Sequence, residues 1–230
     1  MSEPAGPVSS SSIRQFSREE DPKAAEACAV TLGQAMAQGD ESSLFCTKPE
    51  HGYPRWHAIA HNYMLEMAGV RMIYTLGDAR TGPPPCMAIS YWYPEEYVEH
   101  QEGAPQPEGM LDMSQYRRPE AGQALMELLA ALDEGKKAFL KEAGPFLYIA
   151  FLCTSPGHQG QGLGGQLLAH LLSQADAAGK WVYLEATNER NAKLYERLGF
   201  TRRGSKTWTL PSLPGKSSSL IFMSRPPRKA

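Results

Sequence analysis

The chain has 230 residues, 42% of them apolar and 21% charged, with a formal net charge of −2. That length suits a single domain with a sizeable core, and the composition is globular rather than disordered. A near-neutral charge argues against a nucleic-acid partner held by electrostatics. The longest apolar run, 146–153, falls far short of a membrane span, so no membrane partner is expected. The opening MSEPAGPVSSSS has neither the basic nor the apolar region of a secretory leader. Cys28, Cys46, Cys86 and Cys153 form no C-x-x-C pair and read as reduced, packed thiols of a cytoplasmic protein.

Residues 1–12, rich in Ser, Pro and Gly, are expected to be a disordered tail, 13–224 a single domain, and 225–230 (RPPRKA) a basic tail. Ile13 to Phe16 reads as a first strand. Asp21 is placed to cap a helix that starts at Pro22, buries Ala25, Cys28, Ala29, Leu32 and Met36, and ends near Gly39. A second helix fits Arg55 to Ala68 with the stripe Trp56, Ile59, Ala60, Tyr63 and Met67. Val70 to Leu76 and Cys86 to Tyr93 read as a hairpin across the proline-rich loop GDARTGPPP. Segment 95–142 reads as loop to 118, then a helical insertion: Pro119 to Leu132 with Ala121, Leu125, Leu128, Leu129 and Leu132 on one face, a break at Gly135, and a continuation over 136–142. Next come a strand at 146–154, a glycine-rich turn, a helix at 163–178, a strand at 181–186, a helix at 190–198, and strands near 201–209 and 219–224.

The turn, Ser155-Pro-Gly-His-Gln-Gly-Gln-Gly-Leu-Gly-Gly165, follows an apolar strand and opens an amphipathic helix with Leu163, Leu167, Leu168, Leu171, Leu172 and Ala175 on its buried face. Glycines at 160, 162, 164 and 165 remove the Cβ atoms that keep a ligand off the backbone. The exposed N–H groups and the positive helix end then make an anion site suited to phosphate. No Gly-Lys-Ser/Thr is present, which excludes a P-loop. Gly160-x-Gly162-x-x-Gly165 with Glu185 twenty residues on matches a dinucleotide fingerprint, but only 65 residues remain for the strands such a fold needs.

Gln159-Gly160-Gln161-Gly162-Leu163-Gly164 resembles the Q/R-x-x-G-x-G/A turn of the GNAT acyltransferases. Asn191-Ala-Lys-Leu-Tyr195-Glu-Arg-Leu-Gly199-Phe200 resembles their second signature, a Tyr-bearing helix that ends in Gly-Phe. The spacing from Leu184-Glu185 to Tyr195, and Tyr91-Trp92-Tyr93-Pro94 closing an earlier strand, are similar to the branch that includes puromycin N-acetyltransferase. The resemblance implies an α/β (α+β) domain with a mixed, mostly antiparallel sheet flanked by helices. It also implies acetyl-CoA as cosubstrate and direct transfer to an amine in a ternary complex. The backbone of 159–165, including Gly165, would hold the pyrophosphate. The edge of Leu152, Cys153 and Thr154 would pair with the pantetheine arm and aim an N–H at the thioester oxygen.

On the same resemblance Tyr195 is the candidate general acid. Glu185, ending an apolar strand where partial burial raises its pKa, is the candidate general base, with Glu95, Glu96 and Glu99 as alternatives. Asn191, or else Asn188, is placed to bond the pantetheine arm. Cys153 reads as a packed thiol rather than an acyl nucleophile. Trp92 and Tyr93, with Tyr91, could line an acceptor pocket, although strand alternation sends Trp92 and the two tyrosines to opposite faces. His57 and His61 stand four apart, but Ala58 occupies the Glu position of an H-E-x-x-H motif, so no metal is expected. The aromatic cluster and the insertion point to a closed pocket for a small-molecule amine. A peptide acceptor and a silent acyl-CoA-binding module are the competing readings. The oligomeric state stays open, a homodimer included.

Overall fold

The computed structural model describes residues 13–38, 49–97, 105–116, 118–209, 214–215 and 217–228. Strands β1 (Arg14–Phe16), β2 (Ile73–Leu76), β3 (Cys86–Tyr93), β4 (Phe146–Thr154), β5 (Trp181–Ala186), β6 (Thr201–Thr209) and β7 (Ser217–Arg225) form one sheet in the order β1-β2-β3-β4-β5-β7-β6. Only β4 and β5 run parallel; the other neighbours are antiparallel. This is the single, mostly antiparallel α/β domain expected, and not a doubly wound dinucleotide fold.

Helices α1 (Pro22–Ala37), α2 (Gly52–Glu66) and α3 (Gly122–Ala143) cover one face of the sheet. Helices α4 (Leu163–Ala177) and α5 (Glu189–Arg197) cover the other. Central β3 and β4 are covered on both faces, which explains their near-continuous apolar sequences. Edge strand β6 carries Arg202, Arg203 and Lys206 and buries only Trp208, a composition that discourages further pairing. Asp21 caps α1 as expected, its Oδ1 accepting the Ala24 N–H at 3.1 Å. The stop expected at Gly39, the tail 1–12 and Cys46 lie outside the described residues. Cys28, Cys86 and Cys153 are free and buried.

Four expectations shift. Strand β2 starts at Ile73 because Val70–Met72 is spent on turns: the Val70 N–H donates to Met67 O and the Met72 N–H to Val70 O, both at 2.9 Å. Helix α2 starts at Gly52, and its buried line is Ala60, Met64 and Met67, while Trp56, Ile59 and Tyr63 are half-buried. Gly135 does not break the insertion helix. It sits inside α3, where a Cβ would come 2.6 Å from the Tyr183 hydroxyl and 3.4 Å from the Phe222 ring, so glycine lets α3 press onto β5 and β7. Leu129, expected on the packed face, is exposed, whereas Lys136 and Phe139 are buried.

Arg225, expected to open a tail, is the last residue of β7 and is 2% exposed. Its guanidinium donates to both carboxylate oxygens of Asp176 at 2.8 Å, and its Nε–H donates to Leu198 O at 3.2 Å. A bidentate, largely buried pair of this kind ties α4, the end of α5 and β7 together.

Gly135→Ala is expected to cost about 1–3 kcal/mol by overpacking, lowering Tm by about 2–10 °C. Gly122→Ala, whose Cβ would meet nothing within 4 Å, should hold or raise Tm through helix propensity. Thermal melts of the two variants check the pair.

Candidate active site

Parallel β4 and β5 are paired only at Phe146–Trp181, Leu147–Val182 and Tyr148–Tyr183. Beyond this point β4 continues against β3 and β5 against β7. The β3–β4 register skips Ala150 between the Ser90–Ile149 and Ile89–Phe151 pairs, a bulge that bends β4 where it leaves its neighbour. The facing edges of β4 and β5 are thereby left without a strand between them. A cleft of about 880 Å³ occupies this end of the molecule, with Leu152, Cys153, Thr154, Gln159, Asn188 and Asn191 among its walls.

The glycine-rich turn closes one side. Pro156–His158 makes a single 3-10 turn in which Ser155 Oγ and His158 Nδ1 lie 2.8 Å apart. Gly160 and Gly162 adopt left-handed φ of 79° and 77°, which explains glycine at those two positions. A Cβ on Gly160, Gly162 or Gly165 would project into open space, and one on Gly164 would come 3.5 Å from Thr154 Oγ1, an ordinary contact. Gly162 is the N-cap of α4 and supplies no side-chain acceptor, and the Gln166 N–H makes the first bond back to Gly162 O. The preceding N–H groups of α4 are therefore available to an anion. Gln159 and Gln161 are exposed, whereas the Leu163 side chain is buried and can contribute only its backbone.

Glu185 sits at the fork. Its Oε2 accepts the Tyr148 hydroxyl at 2.9 Å; its Oε1 and the Tyr183 hydroxyl are buried and make no hydrogen bond within 3.5 Å among the described residues, though the hydroxyl lies close enough to act on the carboxyl. Burial pushes the carboxyl up to about 7 against the pull of the Lys136 ammonium and the two tyrosine hydroxyls. Lys136 is itself 9% exposed, its Nζ lying 5.0 Å from the Tyr148 ring centroid and 5.8 Å from that of Tyr97. Desolvation pulls its ammonium pKa down while Glu185 and Asp133 hold it up. Sequence reasoning missed Lys136. The signal was available in its place one turn after Leu132 and three residues before Phe139, on the packed stripe of α3.

The other candidates fall as follows. Tyr195 packs with Leu198 and Phe200 against α4, its ring centroid 5.7 Å from that of Phe200, and burial lifts its hydroxyl to about 12. The cleft wall is formed by residues 187–191, one helical turn before it. Asn188 is committed to capping α5, its Oδ1 accepting the Asn191 N–H at 2.8 Å, so of the two it is Asn191 whose side chain is not committed to the cap. Burial raises the Cys153 thiol well above its ordinary pKa, which disfavours the thiolate.

Trp92 packs on the α4 face, away from Glu185; its backbone N–H donates to Glu96 Oε2 at 2.7 Å and its carbonyl accepts the Glu96 N–H at 2.8 Å. Tyr93 is on the Glu185 face but is buried, stacked 5.2 Å from Phe146. On that face it is Tyr91 that reaches toward Glu185, its ring 5.4 Å from Tyr148 and its hydroxyl 2.8 Å from that of Tyr63. Glu95 is exposed, and Glu99 lies outside the described residues. His57 and His61 share one carboxylate, Glu26, at 2.8 and 2.9 Å, a bridge between α1 and α2 that spacing within one helix could not reveal.

Residues 128–202, about a third of the chain, match the family model of the acetyltransferase (GNAT) domain. The chain is 32% identical over 74 residues to the ribosomal protein bS18 alanine N-acetyltransferase of Escherichia coli, an alignment that covers 31% of this chain; the chain spans about half the length of the curated relatives it matches. Among solved structures it resembles a histone acetyltransferase-related protein of Corynebacterium glutamicum (20% identity, TM-score 0.55, 96% of this chain and 99% of that one). It also resembles arylalkylamine N-acetyltransferase 2 of Aedes aegypti (15%, 0.59, 94% and 99%). A third likeness is to the polyamine N-acetyltransferase of Drosophila melanogaster (13%, 0.57, 94% and 100%). At these identities the likeness to the solved structures is one of fold.

Gly162→Val is expected to abolish acetyl-CoA binding in a folded protein, because a branched side chain at a left-handed position would fill the anion cradle. Calorimetric titration checks it, with circular dichroism confirming the fold.

Proposed function

We propose that the chain is an N-acetyltransferase that takes an acetyl group from acetyl-CoA and passes it directly to a primary amine of a small molecule. The observation that carries this is the fork between β4 and β5, with an anion cradle at one end and a buried carboxyl of raised pKa at the other. The cradle fits a pyrophosphate because its glycines leave open space where side chains would stand. The free edge of Leu152–Thr154 suits the amide groups of a pantetheine arm, and Asn191 lies across the cleft from it.

Acetyl-CoA supplies a thioester carbonyl already activated for attack. Glu185 takes a proton from the acceptor ammonium, whose ordinary pKa is about 10.4, and so raises the fraction of free amine. Tyr195, protonated at rest, is the donor to the departing thiolate. Cys153 stays a thiol, which favours direct attack over an acyl-enzyme. We place the chain with the puromycin N-acetyltransferase-like branch, on Tyr91-Trp92-Tyr93-Pro94 and the spacing from Glu185 to Tyr195. We place its action in the cytoplasm, in keeping with three free buried thiols. No helix among the described residues is long and apolar enough to cross a membrane.

Titration of the purified chain with acetyl-CoA, with NADH as control, tests the reading: micromolar acetyl-CoA binding and none of NADH is expected. A folded chain that ignores acetyl-CoA would refute it. With acceptor, Tyr195→Phe should lower kcat about tenfold or more while leaving acetyl-CoA affinity nearly unchanged.

The wild-type kcat/KM should rise with pH through about 7 as Glu185 ionises, and Glu185→Gln should lose that limb together with most of the rate. The same shift has a stability sign. The folded carboxyl binds its proton more tightly than the unfolded one, so Glu185 costs stability as pH rises from the ordinary 4.5 to about 7. Glu185→Gln should therefore raise Tm at pH 8 and change it little at pH 4.

A further inference from the structure

Three polar groups converge at the fork with bonding capacity unused. Glu185 Oε1 and the Tyr183 hydroxyl are buried and make no hydrogen bond within 3.5 Å among the described residues, although the hydroxyl lies close enough to the carboxyl to favour its ionised form. Lys136, 9% exposed as a residue, makes no hydrogen bond or ion pair within 4 Å among the described residues, and its Nζ is not among the fully buried atoms. Its nearby carboxylate on α3, Asp133, is paired at 2.9 Å with Lys137, and Arg203 is paired with Glu142. Lys136 does not collapse onto Glu185 either. The Tyr148 ring separates them, with Nζ over its face and Oε2 on its hydroxyl. Burying a cation and a carboxyl side by side without joining them is costly unless a third group completes both. The arrangement is built rather than incidental, since α3 reaches this depth only because residue 135 is glycine.

An amine alone would complete Glu185 and leave Lys136 unpaired. A diamine would set its second ammonium against Lys136. A phosphate would bring two negative charges to one cation beside a carboxyl. A single carboxylate attached near the amine satisfies every group. We propose that the acceptor is a zwitterion, an amine separated from a carboxylate by one or two carbon atoms, with its ammonium on Glu185 and its carboxylate on Lys136 among the Tyr97 and Tyr148 rings. This deepens the N-acetyltransferase reading and rests on it for the role of Glu185. In chemical terms the substrate class is an α- or β-amino acid, and the tyrosine wall (Tyr63, Tyr91, Tyr97, Tyr148) favours an apolar or aromatic side chain.

The test is calorimetric binding of matched pairs to the full chain: phenylalanine against phenethylamine, tyrosine against tyramine, and ornithine against putrescine. The carboxylate-bearing member is expected to bind about thirtyfold tighter or more. In Lys136→Met, whose side chain keeps the length and loses the charge, the ratio within each pair should fall to near one. Lys136→Arg, which restores the cation, should recover part of the preference, and thermal melts show that the variants fold.

Equal binding within the wild-type pairs, no binding of any amino acid, or a preference that survives Lys136→Met would each overturn the proposal. Acetyl-CoA titration of the same preparation judges the acetyltransferase reading separately: a chain that binds the donor but shows no carboxylate preference keeps the enzyme and loses the zwitterion.

Discussion

Everything distinctive about this molecule depends on two parallel strands that stop pairing. Strands β4 and β5 share three register pairs and then part, and the bulge at Ala150 turns β4 away at the fork. An unpaired strand edge offers a row of N–H and C=O groups, here opening into the cleft beside Leu152–Thr154. On the reading proposed above, a ligand that brings its own amides pairs with that edge. The glycine turn stands at the outer end of the gap and Glu185 at its inner end. On the proposed reading, a long donor is anchored there by its phosphates while its reactive end reaches the carboxyl.

The two faces of the sheet divide the labour. On one, α4 and α5 start near the cleft, α4 bare of side chains at Gly162 and α5 capped by Asn188. On the other, α1, α2 and α3 cover the face that carries Tyr91, Tyr148 and Tyr183. The Arg225–Asp176 pair and the Arg225–Leu198 bond fasten α4 and α5 to β7, so both helix N-termini are held against a common frame. The Asn62 side chain fastens the loop at Leu111 to α2 by two bonds of 2.9 Å. Rigid placement of this kind is what lets a single backbone donor or a single carboxyl count in catalysis.

The glycine turn and the strands and helix around it were legible in the sequence, and the reason is locality. The boundaries of β3, β4 and β5, the opening of α4 at Leu163 and the turn at 155–162 follow from short-range rules: an apolar run, glycines at positive φ, and a helical stripe. What was hidden is non-local. Gly135 looks like a helix break until Tyr183 is placed opposite it. Lys136 looks like a solvated cation beside that break, and Arg225 looks like the start of a tail before two prolines. In each case the partner lies about 48 or 49 residues away, or on another element altogether. Trp92 and Tyr93 show the complementary problem. Alternation correctly sent them to opposite faces, but it could not say which face holds Glu185, and the residue that ends nearest the site on that strand is Tyr91.

The electrostatics of the fork follow from which effect wins. Lys136 and two tyrosine hydroxyls all favour the ionised form of Glu185, yet its pKa lies near 7, above the ordinary carboxylate value, so desolvation outweighs them together. The same desolvation lowers the ammonium pKa of Lys136. Burial thus opposes the charged form of both groups, and on the zwitterion reading proposed above an occupant that supplies opposite charges relieves both at once. On that reading the cost of desolvation was met when the chain folded, and the burden of neutralising the two groups falls on the acceptor. Selectivity then comes from the groups that a wrong acceptor would leave unpaired, more than from contacts a right one adds.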